Sequence, residues 1–290
     1  MTVLIARGFS LILWVQQRGR QSSMQANWLG IQGKVIIVTG GSSGIGETIV
    51  DSLLEQGVKV VNADLNDNGK QSENLLFVQT DVSKQEAVDN VVEQAVDHFG
   101  TIDGVVNNAG INIPRLLVDP LVEKSDYELS GEIFDKMVTI NQKGVYMMSQ
   151  AVGRILALKQ SGVIINMSSE SGLEGSEGQS CYAATKAALN SFTRSWSKEL
   201  GKYNVRVVGV APGIMEETGL RTIAYETALA YTRGITVEKL REGYSSTSTT
   251  PLGRSGKLSE VADLVCYLVS DRASYITGIT CNVAGGKTRG

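Results

Sequence analysis

Short apolar runs rich in β-branched residues alternate with helix-like segments along most of this chain. The first run, Val35–Val38, ends in Thr39 and Gly40. Six further runs are Val58–Ala63, Leu75–Gln79, Ile102–Val106, Val163–Met167, Val205–Val210 and Ile279–Val283. Because the runs are almost continuously apolar, they favour strands that are buried on both faces, as in a parallel sheet.

The segments between these runs carry apolar residues at helical spacing. The clearest are Ile45–Gln56, Ala87–Phe99, Tyr182–Leu200 and Val261–Val269. Sustained alternation predicts an α/β fold, a doubly wound parallel sheet of about seven strands with helices on both faces. Without a repeat or a proline-rich linker, residues 31–290 are predicted to form one domain. Two ambiguous helical patterns near residues 214–250 are too long for a plain connector and predict a helical substrate lid.

Residues 1–30 precede the regular pattern, and we interpret them as a leader or a flexible extension. They contain no apolar run near the ~20 residues of a membrane span. A basic region ahead of the apolar stretch and an A-x-A site, both typical of signal peptides, are also missing. Met24 is the expected natural first residue, with residues 1–23 a misassigned start; the alternative is a weak membrane-surface segment.

Charge and cysteine usage narrow the classes of partner. The chain has 27 Lys and Arg against 30 Asp and Glu, a formal net charge of −3, which argues against nucleic acid as the main partner. Cys181, Cys266, Cys281 and the single histidine, His98, fit no metal-ligand spacing, so no metal is expected. One histidine near a helix end also argues against a Ser-His-Asp triad. The three cysteines suit a reduced, cytoplasmic location.

A glycine-rich loop follows the first strand directly, in the sequence TGGSSGIG at Thr39–Gly46. Its glycines permit a tight turn and a close approach to a diphosphate, and the next helix offers free N–H groups at its start. The strand–loop–helix context predicts a dinucleotide site. Its predicted contacts in this loop are Gly40, Ser42, Ser43, Gly44, Ile45 and Gly46.

The next strand ends in Asp64. A carboxylate there accepts hydrogen bonds from both hydroxyls of an adenosine ribose and repels a 2′-phosphate. No Arg or Lys occurs within Gly40–Gly46 to bind that phosphate. Asp64 therefore predicts NAD as the cofactor rather than NADP; the alternative is a plain turn residue.

Tyr182 and Lys186 are four residues apart and share one face of a helix. An ammonium beside the phenol favours the phenolate and is expected to lower the pKa of Tyr182 from about 10 towards neutrality. Tyr182 then exchanges a proton with an alcohol or carbonyl near pH 7. The Y-x-x-x-K spacing alone is weak evidence, since any helix can carry it.

As an ordered set, Thr39–Gly46, Asn107–Gly110 and Tyr182-x-x-x-Lys186 resemble the short-chain dehydrogenase/reductase superfamily over residues 31–290. The resemblance implies a Rossmann-type fold and a homotetramer formed through the Tyr182 helix and the helix before it. It implies further cofactor contacts at Asp81, Val82, Asn108, Ala109, Gly110, Tyr182, Lys186, Pro212, Gly213 and Ile214. One departure is Thr218, which stands one place later than the family's P-G-x-x-x-T pattern has it.

The catalytic residues that the resemblance implies are Asn141, Ser169, Tyr182 and Lys186. The implied reaction is a hydride transfer between a carbinol carbon and the nicotinamide, in which Tyr182 takes the hydroxyl proton and Ser169 holds the alkoxide. Lys186 lowers the tyrosine pKa and binds the nicotinamide ribose. Asn141 holds a water that passes the proton to solvent.

The predicted substrate contacts are polar: Arg115, Ser169, Glu170, Glu174 and Arg221. With few aromatic residues nearby, this lining suits a polyol better than a steroid or acyl chain. Arg115 or Arg221 is a candidate clamp for a phosphate, because guanidinium binds oxyanions bidentately; each is otherwise a solvated surface charge. Lys287 and Arg289 in the C-terminal GGKTRG are further candidates.

Segments 111–120, 212–222, 249–265 and 282–290 more closely resemble members of the superfamily that interconvert sorbitol 6-phosphate and fructose 6-phosphate with NAD. The alternative enzyme is a dehydrogenase of an unphosphorylated sugar, a gluconate or a small ketone. A regulator that senses NADH without catalysis is disfavoured, because Tyr182, Lys186 and Ser169 are all present. A membrane-associated scaffold would need residues 1–23 to bind lipid.

Overall fold

A seven-stranded parallel sheet forms the centre of the protein in a computed structural model, which describes residues 28–219, 221–246 and 249–288. The strands are β1 (Val35–Thr39), β2 (Lys59–Asp64), β3 (Leu75–Gln79), β4 (Gly104–Asn107), β5 (Gly162–Met167), β6 (Val205–Pro212) and β7 (Thr280–Val283). Their order across the sheet is β3-β2-β1-β4-β5-β6-β7, and every pairing is parallel. All seven predicted strands are confirmed, with ends shifted by no more than two residues.

Nine α-helices occur in the described part of the chain. They are α1 (Gly44–Glu55), α2 (Gln85–Phe99), α3 (Gly131–Val138), α4 (Val145–Lys159), α5 (Ser171–Glu174), α6 (Ser180–Leu200), α7 (Ile223–Thr232), α8 (Val237–Ser246) and α9 (Leu258–Val269). A π-helical segment, Thr139–Gly144, joins α3 to α4. The four predicted helices are confirmed, and α7 and α8 occupy the stretch predicted to be a helical lid.

The sheet is covered on both faces, as the apolar runs predicted. Ile36 and Val38 of β1 face a core formed with α1 and α9, whereas Val35 and Ile37 face a second core formed with α2 and α4. Adjacent strand residues point to opposite faces, so one short apolar run supplies both cores. Since the order of strands reverses between β1 and β4, a crevice opens at their carboxyl ends.

The two lid helices have a small core of their own, formed by Leu229 and Ala230 of α7 and Leu240 of α8. A buried carboxylate, Glu226, adds charge pairing to this core. Its Oε2 lies 2.7 Å from Arg241 Nη2, and its Oε1 lies 3.4 Å from Arg221 Nη2. Glu226 thus connects α7, α8 and the segment that leads into them.

Several predictions concern residues outside the described ranges. They are the leader over residues 1–23, the start at Met24 and the substrate candidate Arg289. Within the described ranges, no helix combines the length and apolar character needed to cross a membrane.

Candidate active site

A cavity of about 270 Å³ lies at the carboxyl ends of the central strands. It is lined by fourteen of the predicted cofactor residues: Gly40, Ser43, Gly44, Ile45, Gly46, Asp64, Asp81, Val82, Asn108, Ala109, Gly110, Tyr182, Lys186 and Pro212. Sequence reasoning did not name the lining residues Ala63, Leu65, Thr80, Ile111, Ile140 and Gly219. Ala63, Leu65, Thr80 and Ile111 lie at strand ends or beside the Asn107–Gly110 segment, whereas Ile140 comes from the π-helical segment and Gly219 from the segment before α7.

Three predicted cofactor residues lie elsewhere. Ser42 does not line this cavity; its backbone N–H donates to Asp64 Oδ2 at 3.0 Å and orients that carboxylate. Gly213 and Ile214 line a neighbouring cavity. Thr218 lines both cavities despite its late position, and its Cβ would lie 3.4 Å from a Cβ built on Gly44.

The glycine-rich loop has no room for side chains at its closest contacts. A Cβ on Gly46 would lie 1.9 Å from the carbonyl oxygen of Gly40, and one on Gly40 would lie 2.9 Å from Ala109 Cα. The Asn108 amide donates to the carbonyl oxygens of Thr39 and Gly40 at 3.1 and 2.9 Å and fixes the loop. Helix α1 begins there without a side-chain cap, so its first N–H groups remain available to an anion. A diphosphate fits this cradle.

Acidic side chains occupy the end of the cavity near β2. Asp64 accepts backbone hydrogen bonds from Ser42 and from Asn66, at 3.0 and 3.1 Å. Hydrogen bonds from Ser83 lower the pKa of Asp81, which therefore stays ionised at neutral pH. Among the described residues that line this cavity, Lys186 is the one cation.

Lys186 and Tyr182 lie on α6, with the lysine Nζ 5.7 Å from the centre of the tyrosine ring. Lys186 is buried, and its Nζ donates to the carbonyl oxygen of Met167 at 2.7 Å. Burial lowers the pKa of Lys186 to about 8. Close packing with α5 holds this arrangement, since a Cβ on Gly172 would lie 2.7 Å from the carbonyl carbon of Lys186.

The expected lowering of the Tyr182 pKa towards neutrality is wrong. Burial raises the pKa of Tyr182 above its ordinary value, and a hydrogen bond with Ser169 opposes that rise without cancelling it. The spacing of Tyr182 and Lys186 on the helix was right. The pKa of Tyr182 is raised by desolvation of its phenol, which the spacing does not show.

Asn141 lies in the π-helical segment and is fully buried. Its Oδ1 accepts from the backbone N–H of Ile111 at 2.9 Å, and its Nδ2 donates to the Ile111 carbonyl at 2.9 Å and to Thr185 Oγ1 at 3.1 Å. A Cβ on Gly110 would lie 3.2 Å from Asn141 Oδ1 and 3.6 Å from Lys186 Nζ. Asn141 thus lies beside Lys186, as expected for a shared proton relay, which stays a prediction.

A second cavity of about 280 Å³ shares five lining residues with the first: Ile45, Ser168, Tyr182, Pro212 and Thr218. Four of the five predicted substrate residues line it: Ser169, Glu170, Glu174 and Arg221. The lid and the loop after α5 add residues that sequence reasoning did not name: Ser176, Gln179, Met215, Tyr225, Arg233 and Tyr244. Among the described residues, no group of three or more His, Cys, Asp or Glu side chains could hold a metal ion.

Arg115 is the predicted substrate residue that lies outside this cavity. Its Nη1 donates to the carbonyl oxygen of Pro114 at 2.7 Å, and its guanidinium lies 5.8 Å from the centre of the Tyr127 ring. Arg115 is therefore directed towards its own loop rather than towards Tyr182.

The last described residues of the chain complete the cavity wall. Lys287 Nζ lies 2.6 Å from Glu170 Oε1, and Thr288 Oγ1 lies 3.2 Å from Glu170 Oε2. Arg221 is also held in place, with its guanidinium 4.0 Å from the centre of the Tyr244 ring and 3.4 Å from the carboxylate of Glu226.

A comparison with protein families agrees with this geometry. The family described as short chain dehydrogenase matches residues 34–228, which include the glycine-rich loop, Ser169, Tyr182 and Lys186. The chain belongs to the short chain dehydrogenase family. The sequence resemblance to that family is thereby confirmed, and with it the expectation of an oxidoreductase that uses a nicotinamide cofactor.

Individual members of the short chain dehydrogenase family are similar over nearly the whole chain. A sorbitol-6-phosphate 2-dehydrogenase of Klebsiella pneumoniae is 63% identical over 265 residues, which cover 91% of this chain and 99% of that protein. A 3-ketoacyl-(acyl-carrier-protein) reductase of Brucella melitensis, solved with NADH, is 30% identical with a TM-score of 0.74, covering 89% of this chain and all of that chain. An aldohexose dehydrogenase of Thermoplasma acidophilum is 26% identical with a TM-score of 0.76, covering 89% of this chain and 95% of that chain.

Proposed function

We propose that this protein is an NAD-dependent dehydrogenase of a polyol phosphate, which interconverts sorbitol 6-phosphate and fructose 6-phosphate. The observation that carries this proposal is the 63% identity to a sorbitol-6-phosphate 2-dehydrogenase over 91% of the chain. The polar cavity beside Tyr182 supports it, because a hydroxyl-rich substrate needs many hydrogen-bonding partners.

Tyr182, Ser169 and Lys186 carry the proton chemistry in this proposal. The first cavity, lined by the glycine-rich loop and Asp64, would hold NAD, whose nicotinamide would supply the hydride acceptor for the carbinol carbon. Tyr182 accepts the proton of the reacting hydroxyl, and Ser169, which hydrogen-bonds with Tyr182, donates to the developing alkoxide. Lys186 stabilises the tyrosinate electrostatically, and its pKa of about 8 keeps it largely protonated at neutral pH. In the reverse direction Tyr182 returns its proton to the carbonyl oxygen.

The residues around Asp64 support NAD rather than NADP. Ser42 and Asn66 fix the Asp64 carboxylate with one backbone hydrogen bond to each oxygen, which leaves lone pairs for ribose hydroxyls. Since Lys186 is the one cation in the cavity lining, a 2′-phosphate beside Asp64 would meet a carboxylate without a compensating charge.

An unphosphorylated sugar is the second candidate substrate. Glu170 and Glu174 line the substrate cavity, and carboxylates accept hydrogen bonds from sugar hydroxyls but repel a phosphate group. The similarity to an aldohexose dehydrogenase points in the same direction at much lower identity. A substrate comparison therefore has to include the free sugar alcohol.

We further propose a homotetramer in the cytoplasm. A groove lined by Tyr146 of α4 and by Trp196 and Leu200 of α6 supports assembly through those two helices, and light scattering of the purified protein tests it. The free cysteines Cys181, Cys266 and Cys281 agree with a reduced compartment.

The reaction is tested with purified protein, NAD⁺ and sorbitol 6-phosphate. We expect NADH to appear together with fructose 6-phosphate, identified by NMR of the product mixture. Sorbitol in place of its phosphate, and NADP⁺ in place of NAD⁺, are expected to react much more slowly. Rapid oxidation of sorbitol with little reaction of the phosphate would favour the second candidate.

A further inference from the structure

Among the described residues, three cationic side chains line the substrate cavity, and they differ in whether a carboxylate is paired with them. They are Arg221, Arg233 and Lys287. Lys287 is paired with Glu170 at 2.6 Å, and Arg221 with the buried carboxylate of Glu226 at 3.4 Å. These two cations therefore already have counter-ions within the protein.

Arg233 has no such counter-ion in the described part of the chain. Among the described residues, the Arg233 guanidinium forms a hydrogen bond with a hydroxyl group, from Nη2 to Ser176 Oγ at 3.4 Å. Ser176 is oriented in turn, because its hydroxyl donates to Gln179 Oε1 at 2.8 Å while Gln179 Nε2 donates to the Tyr225 hydroxyl at 2.8 Å. A guanidinium, half-buried in a cavity and lacking a carboxylate, is a suitable partner for an oxyanion.

The fold fixes where Arg233 lies. Arg233 follows the last residue of α7, and Gly234, at φ +59°, ends the helix. The preceding Thr232 packs against Gly178, whose φ is +74° and where a Cβ would lie 2.0 Å from Thr232 Oγ1. Any side chain at position 178 would push the end of α7 away from the loop that carries Ser176.

We infer that Arg233, positioned by the Ser176 hydroxyl, forms the subsite for the phosphate group of the substrate. This inference rests on the proposed function and extends it. Ser169, Tyr182 and Arg233 line the same cavity, so one polyol phosphate bound there contacts the reacting pair at one end and Arg233 at the other. Arg233 supplies two parallel N–H donors to the phosphate oxygens, and the phosphate supplies the counter-charge that Arg233 lacks among the described residues.

The test compares Arg233→Gln and Arg233→Lys with the wild-type enzyme in the reduction of fructose 6-phosphate and of fructose. Arg233→Gln is expected to raise the KM for fructose 6-phosphate by roughly 10- to 100-fold, the effect of losing a charge-assisted hydrogen bond. Arg233→Lys keeps the positive charge but loses the two parallel N–H donors of the guanidinium, so an intermediate KM is expected. The rate with fructose and the affinity for NADH should stay within about twofold of wild type. Arg115→Gln, outside the cavity, is the matched control and should leave the KM unchanged.

Inorganic phosphate is a second probe, which does not depend on the identity of the sugar. It should inhibit the wild-type enzyme in competition with fructose 6-phosphate and protect it against thermal unfolding, and both effects should be lost in Arg233→Gln. Equal phosphate binding by both proteins, an unchanged KM, or an equal loss with fructose and its phosphate would each overturn the subsite. If the wild-type enzyme prefers free fructose, the proposed substrate fails, and an Arg233-dependent effect of inorganic phosphate still decides whether the anion site exists.

Discussion

The Lys186 ammonium donates a hydrogen bond to the carbonyl oxygen of Met167, 2.7 Å away in the interior of the protein. Met167 ends β5, and Lys186 lies one turn beyond Tyr182 on α6. The contact holds a desolvated positive charge 5.7 Å from the centre of the ring of Tyr182, the proposed catalytic tyrosine. Burial lowers the pKa of Lys186 to about 8, so protonation of Lys186 opposes folding.

The stability of the enzyme should therefore depend on pH through Lys186. Its pKa is lower in the folded chain than in the unfolded one, so its unfavourable contribution is full below about pH 8 and disappears as the pH rises towards 10.5. Between pH 7 and 9.5 we expect the free energy of unfolding of the wild type to rise by about 2 kcal/mol relative to Lys186→Met. Urea unfolding at several pH values measures this difference. Lys198→Met, an exposed site on the same helix, is the control, and parallel pH curves for wild type and Lys186→Met would contradict the buried charge.

Replacing Tyr182 by Phe removes the proposed proton donor and acceptor while keeping the ring. We expect turnover to fall by roughly 10²- to 10⁴-fold, while NADH still binds, because general acid–base catalysis contributes about that much. Stopped-flow turnover and NADH fluorescence titration measure the two effects separately. Tyr225→Phe alters another phenol in the same cavity and should retain most activity; near-normal turnover by Tyr182→Phe would exclude the acid–base role.

The burial of Tyr182 also affects how the rates of oxidation and reduction depend on pH. Because its pKa is raised, the neutral hydroxyl predominates at pH 7, which favours reduction of the ketose. Oxidation of the polyol needs the tyrosinate and should accelerate as the pH rises from 7 to 9, whereas reduction should change little between pH 6.5 and 7.5. An oxidation rate that is independent of pH over this range would show that the tyrosine does not limit the proton transfer.

Asp64→Asn tests the choice of cofactor. Without its negative charge the site no longer repels a 2′-phosphate, and the hydrogen bonds to the ribose become weaker. The ratio of kcat/KM for NAD to that for NADP should fall by about 10- to 100-fold, the worth of a hydrogen bond to a charged group. Asp67→Asn, in the following exposed loop, should keep the wild-type ratio. If the ratio is also unchanged in Asp64→Asn, Asp64 is only a turn residue.

Glu226→Gln should weaken the contact between α7 and α8. The carboxylate is buried and paired with two arginines, whose hydrogen bonds lower its pKa below the ordinary value, so its contribution is present at neutral pH and lost on acidification. Neutralising it should cost about 1–3 kcal/mol of local stability. Hydrogen exchange is expected to quicken across Val237–Ser246 and to stay slow in the central strands. Glu238→Gln, exposed on α8, serves as the control; equal protection of α8 in both variants would argue against Glu226 as the connection.

The sequence was sufficient to predict the sheet and the glycine-rich loop, because both depend on local patterns. A β-branched run ending in Gly40, with Gly44 and Gly46 after it, specifies a strand, a turn and a helix start within a dozen residues. The Y-x-x-x-K spacing likewise placed Tyr182 and Lys186 on one helix face. Even Thr218, displaced by one position, still reaches the glycine-rich loop, because the segment before α7 lies across the cavity.

The substrate end of the site was less predictable, because it depends on contacts between distant segments. Arg233 precedes a glycine at the end of a helical pattern, where a cation is expected simply to favour the helix dipole. Its position beside Ser176 depends on the contact of Thr232 with Gly178, which no local pattern shows. Arg115 seemed equally suitable in the sequence, but the fold directs it to Pro114. Burial, which sets the pKa of Tyr182, is likewise a property of the packed structure.

The most direct measurement of the central claim is the oxidation of NADH by purified enzyme with fructose 6-phosphate, beside fructose under the same conditions. The structure and the relatives predict fast loss of NADH absorbance with the phosphate and little with the free sugar, and the activity should disappear in Tyr182→Phe. Absence of any rate with fructose 6-phosphate, or a faster rate with fructose, would contradict the assignment to a polyol phosphate.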